Sequence, residues 1–312
     1  MEKKFVSVVV YLYNDEENIE EFMTSVLPKV EESFEHYEAV FVDDKSDDET
    51  VSKIKEVAST NSFGGMISIV KMENYQGLEA SMNAGRDIAI GDFVYEFDTC
   101  IVNYDTDEIK RAYDLLTEGH DIVAVSDSKG SRLASKAFYG IFNSFSKSHT
   151  SIGTETFRIV SRRAINRIKS MGDYIPYRKA VYSGCGLNTK RIFYTAIPGK
   201  KVRREKQTYE RMALAMDSFI YFTNFLERIS MVLSGFFLLS TVGLLIYALV
   251  DYIRNRSAIE GWTSLISFMS FGFFGIFLLL TILLKYMSTM INLIFKKQNY
   301  LVSSVEKVGH EK

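Results

Sequence analysis

Short apolar runs alternate with longer, mostly polar stretches through the first third of the chain. The runs are rich in Val, Ile, Phe and Tyr and are flanked by turn residues, a pattern typical of buried strands. The predicted strands are residues 5–12, 37–42, 66–72 and 92–97. Apolar residues at three- and four-residue spacing predict the helices between them, at residues 16–34, 48–59 and 78–89. This βαβαβαβ order predicts an α/β fold with a doubly wound, largely parallel sheet, which binds ligands at the carboxyl ends of its strands.

Apolar residues dominate the last third of the chain. Residues 229–250 and 263–284 contain no Asp, Glu, Lys or Arg, and as helices each would be about 33 Å long, enough to cross a bilayer. The alternative is a buried hairpin inside a soluble protein. Lys and Arg are frequent on both flanks of the pair, whereas the connection at 251–262 has only two. The positive-inside rule therefore predicts a multi-pass protein of the cell inner membrane, with both termini in the cytoplasm.

Three parts follow from this division. Residues 1–209 form the predicted α/β domain, which lies in the cytoplasm. Residues 210–228 place Met and Phe at helical spacing and predict an amphipathic helix at the membrane interface. Residues 229–312 form the predicted transmembrane hairpin with a cytoplasmic tail.

The net charge of the chain bears on which partners are expected. The net charge of -2 and the pI near 6.2 provide no global basic field, so nucleic acid is not an expected partner. The two cysteines, Cys100 and Cys185, have no metal-ligand spacing. Nothing in the sequence sets the oligomeric state, and a homo-oligomer is one of the alternatives.

Acidic and aromatic residues follow the first two predicted strands. Tyr13 and Asn14 come after the first, and Asp43 and Asp44 end the second. Carboxylates at the end of a parallel strand accept hydrogen bonds from ribose hydroxyls or from a base N–H, which favours a nucleoside ligand. The acidic residues at 47–49 are more simply explained as the charged start of the next helix.

The ordered series of motifs resembles the family 2 glycosyltransferases. The chain carries YNxxxNI at 13–19 and VDDxSxDxT at 42–50, then NYQG at 74–77, NAG at 83–85, GDFV at 91–94 and GTETFRIVSR at 153–162. The resemblance runs to about Tyr209, and the C-terminal hairpin is similar to that of polyprenyl-phosphate glycosyltransferases.

The resemblance implies a GT-A domain that binds a nucleotide diphosphosugar. It assigns the donor to residues at the strand ends and on the third helix: Tyr13, Asn14, Asp43, Asp44, Asn83 and Gly85. It assigns catalysis to Asp98, Glu155 and Arg158, and a divalent cation, Mg²⁺ or Mn²⁺, to Asp98. Such a cation would stabilise the negative charge of the leaving diphosphate. A phosphate acceptor is already ionised and needs positioning rather than a general base.

Several positions depart from the family pattern. The DxD motif reads Asp98-Thr99-Cys100, and a cysteine is a poor ligand for a hard cation. Glu96 lies on the same strand face as Asp98 and is the candidate second metal ligand, unless it points to solvent. Lys45 replaces a glycine and is either a phosphate ligand or an ordinary turn lysine.

Two further assignments concern the acceptor. Arg204, Lys206 and Tyr209 remain from a basic stretch that related enzymes have before the membrane helices, and they are the predicted lipid-phosphate ligands. The alternative is that these basic residues only hold the chain at the cytoplasmic membrane face and have no catalytic role. Glu155 is either the acid on the acceptor side or a surface carboxylate that pairs with Arg158.

The sequence therefore predicts transfer of a sugar from a nucleotide diphosphosugar to a polyprenyl phosphate, or to a lipid-linked glycan, at the cytoplasmic membrane face. The alternative is a catalytically degenerate GT-A protein that binds a nucleotide-sugar as a scaffold or regulator in a glycan-assembly complex.

Overall fold

The computed structural model describes residues 2–128, 155–171, 177–197, 261–295 and 300–308, with single positions between 229 and 250. The strands are β1 Glu2–Leu12, β2 Phe34–Asp43, β3 Met66–Met72, β4 Phe93–Phe97, β5 Ile122–Asp127, β6 Phe157–Ser161, β7 Thr189–Tyr194 and β8 Val302–Val308. The helices are α1 Ile19–Ser33, α2 Thr50–Thr60, α3 Leu78–Ile88, α4 Asp107–Thr117, α5 Arg162–Met171, α6 Arg178–Gly184 and α7 Trp262–Phe295.

The described strands form one sheet in the order β7-β5-β6-β4-β1-β2-β3-β8. β1 pairs in parallel with β2 and β4, and β2 pairs in parallel with β3, so β1 to β4 have the predicted arrangement. β6 runs antiparallel between β4 and β5, and β8 runs antiparallel to β3 at the edge. The predicted α/β fold is confirmed, and the sheet is mixed: four of its neighbouring strand pairs are parallel and three are antiparallel among the described strands.

Helices cover both faces of the sheet, as the doubly wound prediction requires. One apolar core joins the sheet to α1, α2 and α4 and is rich in aromatic residues, among them Phe22, Phe34 and Phe97. The second core joins it to α3, α5 and α6. β1 lies between these layers, which explains why Val8 to Leu12 is a continuous apolar run rather than an alternating one.

α3 approaches the sheet closely because it carries a glycine at the contact. A Cβ atom built on Gly85 would lie 2.5 Å from Val9 Cγ1 and 2.5 Å from Val42 Cγ2. The side chains of both valines are buried and β-branched, so they have little freedom to move away. Gly85, which the resemblance assigns to donor binding, thus has a packing role in this fold.

The end of the chain differs from its predicted place in a tail. Val302–Val308 forms β8 and extends the sheet beyond β3. Glu306 on β8 forms ion pairs with Lys71 of β3 and Lys55 of α2, each at 2.6 Å. Hydrogen bonds from these ammonium groups lower the pKa of Glu306 to about 2. An unpaired sheet edge offers backbone donors and acceptors to any available strand, and here the C-terminal segment uses them.

The chain divides into two compact units. The first contains residues 1–144, 148–215 and 296–312, and the second contains 145–147 and 216–295. The first unit thus includes the C-terminal residues that the sequence analysis grouped with the hairpin.

Helix α7, 34 residues long, belongs to the second unit. Among the described residues, no helix was found with the length and apolarity that a membrane crossing needs. The predicted segment 263–284 lies within α7. Half of the positions of 229–250, and all of the predicted amphipathic helix at 210–228, lie outside the described residues. The spanning helices stay a prediction.

We expect Gly85→Ala to destabilise the fold by about 1–3 kcal/mol, because the added methyl group overlaps two stiff valine side chains. Denaturant unfolding measures the change. Gly64→Ala is the matched control, since its Cβ would meet only the flexible carboxylate of Glu31. Equal stability of the two variants would show that α3 does not need a glycine at this contact.

Candidate active site

The carboxyl ends of β1, β2 and β4 bring the predicted site residues to one edge of the sheet. The loops after β1 and β2 are joined by hydrogen bonds: the Asn14 amide donates to Ser46 Oγ, and the Asp47 amide donates to Asn14 Oδ1 at 2.8 Å. Asn14 and Lys45 both have positive φ angles, of 54° and 63°. The side chain of Asn14 therefore orders these loops, and Lys45 is an exposed residue of the second loop.

Asp43 and Asp44 have different surroundings although they are neighbours. Asp44 has no solvent exposure, and its carboxylate accepts hydrogen bonds from the Gln76 and Gly77 amides, both at 2.8 Å, and from Tyr11 Oη at 3.0 Å. Burial raises the pKa of Asp44, while the two amides oppose the rise. These contacts make Asp44 the anchor of the loop that precedes α3.

Asp43 is the acidic residue with spare hydrogen-bonding capacity. One carboxylate oxygen accepts a hydrogen bond from the Ser46 amide at 3.3 Å, and burial raises the pKa of Asp43. The rings of Tyr13 and Tyr75, from the loops after β1 and β3, lie with centroids 4.7 Å apart at the same edge. A partly exposed aromatic pair near a carboxylate suits a nucleobase, which presents a flat face and N–H donors.

The C-terminal strand contacts the same loop. Gln76 Nε2 donates to the Leu301 carbonyl at 2.7 Å, and the Leu301 amide donates to Gln76 Oε1 at 2.8 Å. The Gln76 amide is one of the donors to Asp44. The start of β8 thus supports the loop that carries Tyr75. Asn83 is buried in the second turn of α3.

A buried cluster of charged side chains lies at the end of β4. Arg158 on β6 and Arg178 on α6 have no solvent exposure, and both donate to Glu96, at 3.2 and 2.7 Å. Arg178 also donates to Asp98 Oδ1 at 2.8 Å, and Arg158 donates to Asp98 Oδ2 at 3.1 Å. Both oxygens of Asp98 are therefore already bonded to guanidinium groups.

Other carboxylates and a tyrosine complete this cluster. Glu79 of α3 accepts from Arg178 Nε at 2.9 Å, and Tyr182 Oη donates to Glu96 at 2.5 Å. Glu155 forms an ion pair with Arg158 at 3.0 Å and lies 3.6 Å from Arg191. The three predicted catalytic residues, Asp98, Glu155 and Arg158, are thus in contact.

The outer side of the cluster carries a lysine. Lys179 Nζ lies 3.4 Å from Asp98 Oδ2, and its side chain is 11% exposed. Burial alone would raise the pKa of Asp98, but the charges of Arg158, Arg178 and Lys179 outweigh it and hold that pKa well below its ordinary value. Asp98 is therefore ionised throughout the neutral pH range.

These contacts do not fit a divalent cation at the position that the resemblance assigns. Glu96 is fully buried and faces two arginines, so it does not point to solvent, and it offers no route to a metal. Cys100 has no exposure, and burial, with the nearby charge of Asp15, raises the pKa of its thiol well above the ordinary value. Within the described ranges no three His, Cys, Asp or Glu side chains are grouped to hold a metal ion.

Comparison with known proteins identifies the family of this chain. The family model described as "Glycosyl transferase family 2" matches residues 7–169, which is more than half of the chain and runs from within β1 to beyond β6. The chain belongs to this family. As a family 2 glycosyltransferase it is a transferase enzyme with a GT-A-like domain.

Two of the relatives of this glycosyltransferase are bacterial proteins. CsbB of Bacillus subtilis (strain 168), a glycosyltransferase by name, is 24% identical over 278 residues, which cover 87% of this chain and 83% of CsbB. An undecaprenyl-phosphate 4-deoxy-4-formamido-L-arabinose transferase of Aeromonas hydrophila is 29% identical over 120 residues, which cover 38% of this chain and 36% of the relative.

A solved structure shares the fold. The mannosyltransferase PcManGT of Pyrobaculum calidifontis, determined in complex with GDP-Man and Mn²⁺, superposes with a TM-score of 0.52. The alignment covers 96% of this glycosyltransferase and 89% of PcManGT at 15% sequence identity. At this identity the likeness concerns the fold alone.

The sequence analysis missed four members of the cluster in this glycosyltransferase: Glu79, Arg178, Lys179 and Tyr182. The last three lie on α6, which no motif marks, and the only signal is the Arg-Lys pair at the start of this short helix. The predicted lipid-phosphate ligands Arg204, Lys206 and Tyr209 lie outside the described residues.

We expect Asp98→Asn to lower the free energy of unfolding by about 3 kcal/mol, because it removes one charge from two buried arginines. Urea unfolding measures the change. Asp107→Asn is the control: Asp107 pairs with Lys29, its side chain is 75% exposed, and the expected loss is below about 1 kcal/mol. A similar small loss in both variants would contradict the clustered ion pairs.

The same prediction has a pH dependence. The folded state depresses the pKa of Asp98, so this group stabilises the fold above the unfolded-state pKa of about 3.9. Its contribution is lost as the pH falls towards the folded-state pKa. The difference between wild type and Asp98→Asn is therefore expected to be constant from pH 5 to 7 and to shrink below about pH 4.

Proposed function

We propose that this glycosyltransferase moves a sugar from a nucleotide diphosphosugar to a polyprenyl phosphate, or to a lipid-linked glycan, at the cytoplasmic face of a membrane. The observation that carries the donor half is the arrangement at the sheet edge. Asp43 and the Tyr13–Tyr75 pair suit a nucleoside, and the positive side chains around Asp98 lie at the end of β4, two strands from β2. A donor lying along this edge would place its base at the first group and its diphosphate near the second.

The acceptor half is supported by the relatives and by simple chemistry. Undecaprenyl phosphate appears in the name of the Aeromonas relative. A phosphate monoester is ionised at neutral pH, because its second pKa is about 6, so its oxygen attacks the sugar without a general base. Glu155 already pairs with Arg158 and Arg191, which suits a positioning role better than proton removal.

Membrane attachment is supported by the second unit. Many large apolar side chains of α7 are exposed, among them Leu265, Met269, Phe273, Ile276, Leu280, Leu283 and Met287. Phe237, from the first predicted span, lies with its ring 5.1 Å from that of Phe271. Gly275 provides space for the same ring. Small residues that admit a neighbouring side chain are typical of helix pairs in membranes.

The connections of this unit support the proposed orientation. The chain leaves the first unit at residue 215 and returns to it at residue 296, and β8 then joins the sheet. Any membrane crossings between these points must be even in number, because both ends belong to the same folded domain. Two crossings satisfy this condition and leave both termini in the cytoplasm.

Donor binding and transfer test the proposal. A panel of nucleotide diphosphosugars is titrated into the detergent-solubilised full chain, and release of nucleoside diphosphate is then followed after addition of polyprenyl phosphate. We expect at least one donor to bind and to be consumed only with the acceptor present. Asp43→Ala is expected to weaken donor binding about tenfold or more, because a buried hydrogen-bond acceptor is lost, whereas Asp47→Ala, at an exposed position, is the control.

The outcomes separate the two functions. Binding without turnover would favour the alternative of a nucleotide-sugar-binding scaffold, for which the loss of the second DxD carboxylate is the motivation. Absence of binding for the whole panel would overturn the proposal. Transfer to a soluble sugar but not to the lipid would overturn the acceptor half alone.

A further inference from the structure

Lys179 is the most solvent-exposed of the three cations that contact Asp98. Arg158 and Arg178 have no exposure, whereas the side chain of Lys179 is 11% exposed and that of Asp98 is 8% exposed. An incoming anion therefore meets Lys179 before it meets either arginine.

A divalent cation would meet strong competition for Asp98. Either oxygen that it approached already accepts from a guanidinium group, Arg178 at 2.8 Å or Arg158 at 3.1 Å. A guanidinium group that it displaced would stay buried and lose a charged partner, which is costly in a site of low dielectric. The two arginines and Lys179 would also repel a second positive ion at this distance.

The chemistry still needs positive charge at this point. When the bond between the sugar C1 and the diphosphate oxygen breaks, the electron pair remains on the diphosphate. Lys and Arg side chains also bind phosphate groups, and a lysine acts there as a compact point charge.

The contact between Lys179 and Asp98 is loose enough to be exchanged. Its length of 3.4 Å exceeds the 2.7–2.9 Å usual for a charge-assisted N–H···O bond. Asp98 would keep both guanidinium partners if the ammonium group moved to a phosphate. Lys179 therefore lies near the site but is bonded only weakly to the cluster.

We propose that Lys179, positioned by the Arg158–Asp98–Arg178 ion pairs, takes the place of the divalent cation, so that this chain binds and releases the donor diphosphate without a metal. The inference rests on the proposed function. In the transfer step the acceptor phosphate oxygen forms the new bond to C1, the C1–O bond to the diphosphate breaks, and Lys179 pairs with the departing charge. No proton leaves the lysine.

Titration calorimetry on the solubilised full chain tests this inference with UDP, GDP, CDP, ADP and dTDP as probes, each in EDTA and in Mn²⁺. We expect the nucleotide that binds to do so in EDTA with an affinity within about threefold of that in Mn²⁺. Lys179→Ala is expected to weaken its binding in EDTA by about tenfold or more, the effect of one charge-assisted hydrogen bond. Lys179→Arg should retain most of the affinity, and Lys190→Ala, at an exposed position on β7, is the control.

Thermal unfolding of each variant shows whether it is folded, and the wild-type comparison of EDTA with Mn²⁺ needs no variant. Binding that requires Mn²⁺ would overturn this inference and leave the proposed function intact. Equal binding by wild type and Lys179→Ala in EDTA would also overturn it. Absence of binding for every nucleotide in both conditions would overturn the proposed function together with it.

Discussion

Two guanidinium groups without solvent exposure impose the main constraint on this structure. A buried arginine keeps its charge and needs carboxylate partners. An unpaired buried charge costs several kcal/mol, whereas the free energy of unfolding of a whole domain is only about 5–15 kcal/mol. Arg158 and Arg178 find theirs in Glu79, Glu96, Asp98 and Glu155. The partners come from α3, from β4 and the residue after it, and from the segment before β6, so the ion pairs connect elements that are distant in the sequence.

This constraint explains how the site departs from its family pattern. In a DxD site two carboxylates provide oxygen ligands for a hard cation. Here the first carboxylate is bonded to arginines and the second is replaced by the buried Cys100. A protein that stabilises the leaving diphosphate with side-chain cations can lose the second carboxylate without losing the chemistry, and the replacement at position 100 then has a physical explanation.

The sequence predicts the regular part of the fold well because the signals there are local. Strand and helix periods identify β1 to β4 and α1 to α3 to within a few residues, and the resemblance brings Asp98 and Arg158 into one site. α1 begins at Ile19 rather than at Glu16, because the chain first turns back at Asp15, whose carbonyl accepts from the Ile19 amide. The spacing of apolar residues does not predict such a turn.

The remaining features depend on contacts between distant residues. Arg178 meets Glu96 and Glu79 across 82 and 99 positions of the chain, and no spacing rule connects them. β8 has valines at 302, 305 and 308, a three-residue spacing that does not predict a strand, and it forms because β3 offers a free edge. Gly85 appears in a motif, yet its contact with Val9 and Val42 is visible only in the packed structure.

The most direct test of the account is the position of the cations in a complex. The full chain would be crystallised with the nucleoside diphosphate that binds and with Mn²⁺, and anomalous scattering would locate manganese. The account predicts the diphosphate within hydrogen-bonding distance of Lys179, no manganese at Asp98, and both arginines still paired with that carboxylate. A manganese ion coordinated by Asp98, with Arg158 and Arg178 turned away, would contradict it.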